Sequence, residues 1–213
     1  MQSASFYNNL GDALRELGKF EEAEASFQQA TTLAQSLHNE ITQMAILEGW
    51  ARLDVVRGEY HQAVERAQET IRLAKLYDRQ FVEQLGLSCL GHAYAGLGMW
   101  TEAEAAYTQA LAGPAGDLPR CAMENVVGLA YIHWQMGDET AANTHIHHFL
   151  ELSNHSFIEG SASPSLSYGR AIQVLRALGQ TQQAADLLAK VQRWLQAEVG
   201  LIFARPIWEE LGI

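Results

Sequence analysis

Strand-forming sequence is largely missing from this 213-residue chain: no stretch alternates Val, Ile and Thr with polar residues at the period of a strand. That excludes a sheet as the organising element. Proline is scarce, with only Pro114, Pro119, Pro164 and Pro206, so long helices are permitted over most of the length. Cysteine occurs twice, at Cys89 and Cys121. Both sit inside apolar helical patterns, where a thiol acts as a small buried hydrophobe, and two so placed make no disulfide framework. Basic residues are short as well: 14 against 25 acidic ones, a net charge of −11. Residues 123–164 carry no Lys or Arg at all. Such a surface repels phosphate backbones and speaks against nucleic acid as a partner, while solubility alone is sufficient reason for the acidity. No apolar run reaches the roughly 18 residues of a membrane span. The opening Met1-Gln2-Ser3-Ala4-Ser5 lacks the basic start and apolar core of a signal peptide. A soluble, cytoplasmic protein with no membrane contact is expected.

Helix formers fill the space that is left. Ala, Leu, Gln and Glu dominate, and they repeat. Gly18, Gly58, Gly98, Gly137 and Gly179 stand 40, 40, 39 and 42 residues apart. Five residues behind each comes an alanine: Ala23, Ala63, Ala103, Ala142 and Ala184. Before Gly18, the residues Tyr7, Leu10, Gly11, Leu14 and Leu17 recur at helical steps. Phe20, Ala23, Phe27, Ala30 and Leu33 do so after it. Each glycine thus marks the reversal of a helical hairpin, where positive φ suits a helix C-terminus. Thr101 with Glu104 has the spacing of a capping box for the second helix of the third unit. Small pairs (Gly11/Ala23, Gly91/Ala103, Ala130/Ala142) are expected at the crossings within hairpins. Large pairs (Leu10/Phe27, Leu90/Tyr107, Leu129/Ile146) are expected between them. A single hairpin cannot bury its apolar face, so the hairpins must stack.

The pattern Tyr7-x2-Leu10-Gly11-x2-Leu14…Ala23-x3-Phe27 resembles the tetratricopeptide (TPR) signature, and so does Leu87-x2-Leu90-Gly91-x2-Tyr94…Ala103-x3-Tyr107. The second unit carries Trp50, Ala51, Ala63 and Ala67. The fourth and fifth keep mainly the glycine–alanine spacing. The resemblance implies an all-α, right-handed α-α superhelical solenoid of about five TPR-like hairpins. The expected units are about 4–38, 39–79, 80–116, 117–156 and 162–197 in one repeat domain, closed by a C-terminal capping helix over 198–213. The common repeat is about 34 residues; the extra six or so here add about one and a half helical turns per hairpin. Repeats of this length are similar to those of bacterial signalling proteins, among them the sensor arms of STAND-class regulatory ATPases and peptide-sensing regulators. Gly113–Pro119 and Asn154–Pro164 read as connecting loops. The second is a tolerated insertion, or alternatively a hinge.

The resemblance also implies that the first helix of each hairpin lines a concave groove. The helical step picks out residues there that packing would leave free: Asn8, Asp12, Arg15, Glu48, Arg52, Ser88, His92, Tyr131, Trp134, Gln173 and Arg176. Arg, Tyr and Trp are the types that most often carry binding energy. The family's carboxylate clamp is not expected, because Asp12 and Glu48 occupy its matching places beside Asn8 and Arg52. His145, His147, His148 and His155 cluster in sequence, yet His147 points elsewhere on a regular helix and no set of ligands is completed. Ser88 lies one turn from His92 without an orienting third group. There is no G-x-S-x-G, H-E-x-x-H or Lys-Ser/Thr phosphate loop. No catalytic residue, metal or cofactor is expected.

The tail, with Leu201, Ile202, Phe203, Ile207, Trp208, Leu211 and Ile213, reads as a cap folded over the last hairpin or as a docking or homodimer patch. The first hairpin starts almost at Met1 with no capping helix before it, which suggests a piece of a longer protein or an end that meets a partner. The reading is a non-catalytic scaffold for a protein or peptide, with another domain of the same protein among the candidate partners. Its expected context is the C-terminal sensor or interaction arm of a bacterial regulatory protein. The alternatives are a free-standing peptide-binding adaptor and a small-molecule-sensing solenoid.

Overall fold

A computed structural model describes residues 3–37, 39–114, 116–155 and 162–197. Ten helices and no strand appear among them: α1 (Ala4–Glu16), α2 (Phe20–Ser36), α3 (Glu40–Arg57), α4 (Tyr60–Leu76), α5 (Gln80–Gly96), α6 (Trp100–Ala112), α7 (Pro119–Gln135), α8 (Glu139–His155), α9 (Pro164–Ala177) and α10 (Thr181–Ala197). They pair as five consecutive hairpins, the all-α repeat architecture of a TPR-like solenoid. The chain divides into two compact units, Met1–Gly116 with three hairpins and Asp117–Ile213 with two. The proposed capping helix over 198–213 lies outside the described residues.

Every hairpin turns on the same device. Gly18, Gly58, Gly98, Gly137 and Gly179 all adopt φ between 70° and 81°. At each corner the glycine N–H reaches back three residues and the next N–H reaches back five, as in Gly18 to Arg15 and Lys19 to Leu14. This is the Schellman closure that satisfies the last helical carbonyls. The residue after the glycine then accepts from the N–H of the alanine that follows: Ala23 to Lys19, Ala63 to Glu59, Ala103 to Met99, Ala142 to Asp138 and Ala184 to Gln180. The fixed glycine–alanine spacing therefore sets where one helix stops and the next begins.

That geometry overturns the capping box. α6 starts at Trp100, and its N-cap is Met99 with no side-chain bond, so Thr101 is already inside the helix. Side-chain caps occur elsewhere. Ser3 accepts from Phe6 N–H at 3.2 Å, Asn39 from Thr42 at 3.0 Å and Asp138 from Ala141 at 2.9 Å.

In the unit Met1–Gly116 the small residues admit aromatic rings. A Cβ on Gly11 would lie 2.7 Å from the Phe27 ring and one on Gly49 2.6 Å from it, and a Cβ on Gly91 would lie 2.5 Å from Tyr107. Phe27 packs with Ala23, Leu53, Leu14 and Trp50. Its expected companion, Leu10, is instead 37% exposed. The buried face of α1 runs through Ala4, Asn8, Gly11 and Arg15, centred about 130° around the helix from Leu10. In the unit Asp117–Ile213, Met123, Val126, Val127 and Ala130 of α7, Ile146 and Phe149 of α8, and Tyr168, Ile172 and Leu175 of α9 are all buried. Phe149 meets Tyr168 edge-on at 5.3 Å. Cys89 and Cys121 are buried and form no disulfide, as small core residues. No described helix is long and apolar enough to cross a membrane.

Candidate functional site

The first helices carry the side chains singled out from the sequence, and the two units treat them differently. In Met1–Gly116, Asp12 and Arg15 of α1 and Glu48 and Arg52 of α3 come together as one charged network. Arg15 pairs with Glu16 at 2.6 Å and with Asp12 at 3.4 Å, and Arg52 Nε donates to Glu48. Burial raises the Asp12 carboxyl above its usual value; Arg15 and Arg52 pull it back down, while Glu48 and Glu16 push it further up. Asn8, Arg15 and Arg52 are only 9%, 2% and 3% exposed. Ser88 and His92 are interior residues as well. Ser88 donates to the Gln84 carbonyl at 3.0 Å, and His92 Nδ1 lies 2.7 Å from the Tyr107 hydroxyl. These five positions therefore do take part in packing, contrary to the reading from helical steps. A helix wheel gives the direction of a side chain on its own helix and says nothing of the neighbour that comes to cover it.

In Asp117–Ile213 the corresponding side chains stay accessible. Tyr131 and Trp134 on α7 are half-buried and meet edge-on at 5.8 Å. The Arg170 guanidinium of α9 sits over the Tyr131 ring, 4.8 Å from its centre, a cation–π contact. Gln173 and Arg176 on the same helix are exposed. Arg170 did not emerge from the sequence, although it lies one helical step before Gln173. Of the histidines, His145 stacks on His133 at 5.3 Å. No three His, Cys, Asp or Glu converge as metal ligands among the described residues.

A second concave surface lies in Met1–Gly116, between α2 and α4 with α3 as its floor. Its cavity measures about 450 Å³. Glu24, Gln28, Thr31 and Gln35 form one stripe of α2, facing Ile46, Leu47 and Trp50 of α3 and Arg66 of α4. Trp50 is held on several sides. Its Nε1–H donates to Thr31 Oγ1 at 3.3 Å, Phe27 lies 5.6 Å away and Arg66 sits over the ring at 4.7 Å. Arg66 also pairs with the buried Asp54 at 2.8 Å. Burial pushes the Asp54 carboxyl up to about 6 against the pull of that arginine.

Two models of the tetratricopeptide-repeat family match the sequence, one over residues 2–76 and the other over residues 87–120. No curated protein sequence matches. Among solved structures, the chain is similar to BtubC (BKLC) from P. vanneervenii, with 18% identity and a TM-score of 0.62 over 92% of this chain and 81% of that one. It is also similar to the nearly identical TPR-like repeats of a kinesin-light-chain protein from Podosopora anserina. There the identity is 18% and the TM-score 0.55, over 94% of this chain and 100% of the other. At such identity the likeness is one of fold.

Proposed function

The chain belongs to the tetratricopeptide-repeat family, a repeat scaffold for protein interaction, and from that premise we propose that it grips its partner through the first helices of Asp117–Ile213. Tyr131 and Trp134 form the apolar part of this surface; Arg170, Gln173 and Arg176 form the polar part. The observation that carries the reading is the pair of half-buried rings beside Arg170. Aromatic and arginine side chains dominate binding energy in interfaces, and here they stand partly desolvated before any partner arrives. The charged network of Asp12, Arg15, Glu48 and Arg52 serves instead as part of the packing of α1 and α3.

The scaffold works without catalysis, as this repeat type typically does. We infer a reducing, intracellular setting, supported by two buried cysteines that are not joined in a disulfide. We also place the chain as the interaction arm of a larger bacterial regulatory protein, supported by the length of its repeats. An upstream nucleotide-binding domain in the full reading frame is the expected finding; a frame that opens at Met1 would make the chain a free-standing adaptor instead. The surface itself is tested by Tyr131→Ala combined with Arg176→Glu. Partners captured by the unaltered chain should be lost while circular dichroism stays native. Unchanged capture by a folded variant would remove the assignment.

A further inference from the structure

The groove over α3 has no part in the surface just described, and its chemistry is different. We propose that it is a second docking site, for a neutral, extended peptide segment with one aliphatic side chain. The inference rests on the chain being a protein-binding scaffold, but not on the first-helix surface of Asp117–Ile213.

Charge comes first. Every charged group lining the groove already has a counter-ion: Glu24 with Arg57 at 2.8 Å and Arg66 with Asp54 at 2.8 Å. The lining is therefore neutral in sum and offers a ligand of either sign no net attraction to offset its desolvation, so the groove favours a neutral segment. Hydrogen bonding comes second. The side-chain amides of Gln28 and Gln35 make no bond within the described chain, and each offers a donor and an acceptor. Gln43, across the groove, donates to the Ala34 carbonyl at 3.3 Å and keeps its own oxygen as an acceptor. Peptide units present the complementary pair of groups. Gln28 and Gln35 are two helical turns apart, about 10.5 Å. Three residues of an extended chain span about 10 Å, so both amides can reach one segment.

Shape comes third. Ile46 is buried at the floor and Leu47 is half-buried beside it, a seat for one aliphatic side chain. A saccharide would need an open aromatic face, and Arg66 already covers one face of Trp50. The hydrogen bond to Thr31 and the contact with Phe27 fix that ring in advance, so little ordering is left for binding to pay.

The test is an array of hexapeptides, acetylated and amidated at their ends. Each has one Leu, Ile or Val among Gly, Ser, Asn and Gln. Matched arrays carry an added Lys or Asp, and maltotriose and cellotriose serve as saccharide probes. Neutral peptides should bind best. Gln28→Ala with Gln35→Ala, both at exposed positions, should weaken that binding about tenfold, whereas Tyr131→Ala with Arg176→Glu should leave it unchanged. The proposal is overturned if no neutral hexapeptide binds, if charged peptides or saccharides bind as well, or if the double glutamine variant binds normally. Peptide binding lost only in the Tyr131/Arg176 variant would sink this site and leave the first-helix surface standing. The reverse pattern would do the opposite.

Discussion

Arg15 and Arg176 each stand three residues before a corner glycine, yet the first is 2% exposed and the second lies in the open. His92 and Tyr131 each stand six residues before one; the first is sealed against Tyr107 and the second is half-buried under Arg170. Equal places in the repeat are thus unequal places in the molecule. What differs is the company on neighbouring helices. α1 and α3 supply opposite charges within one turn of each other, Asp12 with Arg15 and Glu48 with Arg52. That lets both arginines be buried, because a buried charge is tolerated only when paired. α7 supplies no such partners near Tyr131 and Trp134, and its polar face stays available. Met1–Gly116 has spent its first-helix residues on cohesion, whereas Asp117–Ile213 has kept them for contact.

The largest effect that would sharpen this contrast comes from Arg52→Glu. It sets a carboxylate against Glu48 in the interior, and breaking such a buried pair costs about 3–5 kcal/mol. Urea denaturation should show that loss, while Arg176→Glu should shift stability by about 0.5 kcal/mol or less. If Arg52→Glu is equally mild, the two units do not differ as described. Next comes Gly91→Leu, whose side chain would run into the Tyr107 ring. A loss of about 3 kcal/mol is expected, with hydrogen exchange accelerated first in α5 and α6.

Asp54 gives an effect of similar or smaller size that depends on pH. Its folded pKa of about 6 lies above the ordinary 3.8, so the folded state holds a proton that the unfolded chain has released. Stability from this group is therefore full below about pH 4 and falls as pH rises through 6, by up to ~3 kcal/mol. Asp54→Asn should flatten that fall in thermal midpoints measured from pH 4 to 7; an unchanged slope would place the titration elsewhere. A smaller effect than at Gly91 is expected at Gly137, whose Cβ would meet nothing within 4 Å. Gly137→Ala should cost about 1–2 kcal/mol through φ alone, set against the steric cost at Gly91.

The hairpins were legible in the sequence because their corners are local. Gly137 and Gly179 keep the same φ and the same pair of bonds as Gly18, even where the tetratricopeptide signature has worn away. The start of α6 was misread because Thr101 and Glu104 satisfy a capping pattern that the corner at Gly98 pre-empts. Long-range burial was the other blind spot. Nothing in the spacing of His92 announces that Tyr107 will close over it. Nor does the sequence announce that Arg66 of α4 will arrive above Trp50 of α3.

The corner bonds are all made between residues at most five apart, so a hairpin brings its own turn wherever it is copied. A gene segment of about forty codons is then a complete building part, able to duplicate in tandem without new joints. After duplication, each copy's helix faces are at liberty to diverge toward cohesion or toward recognition.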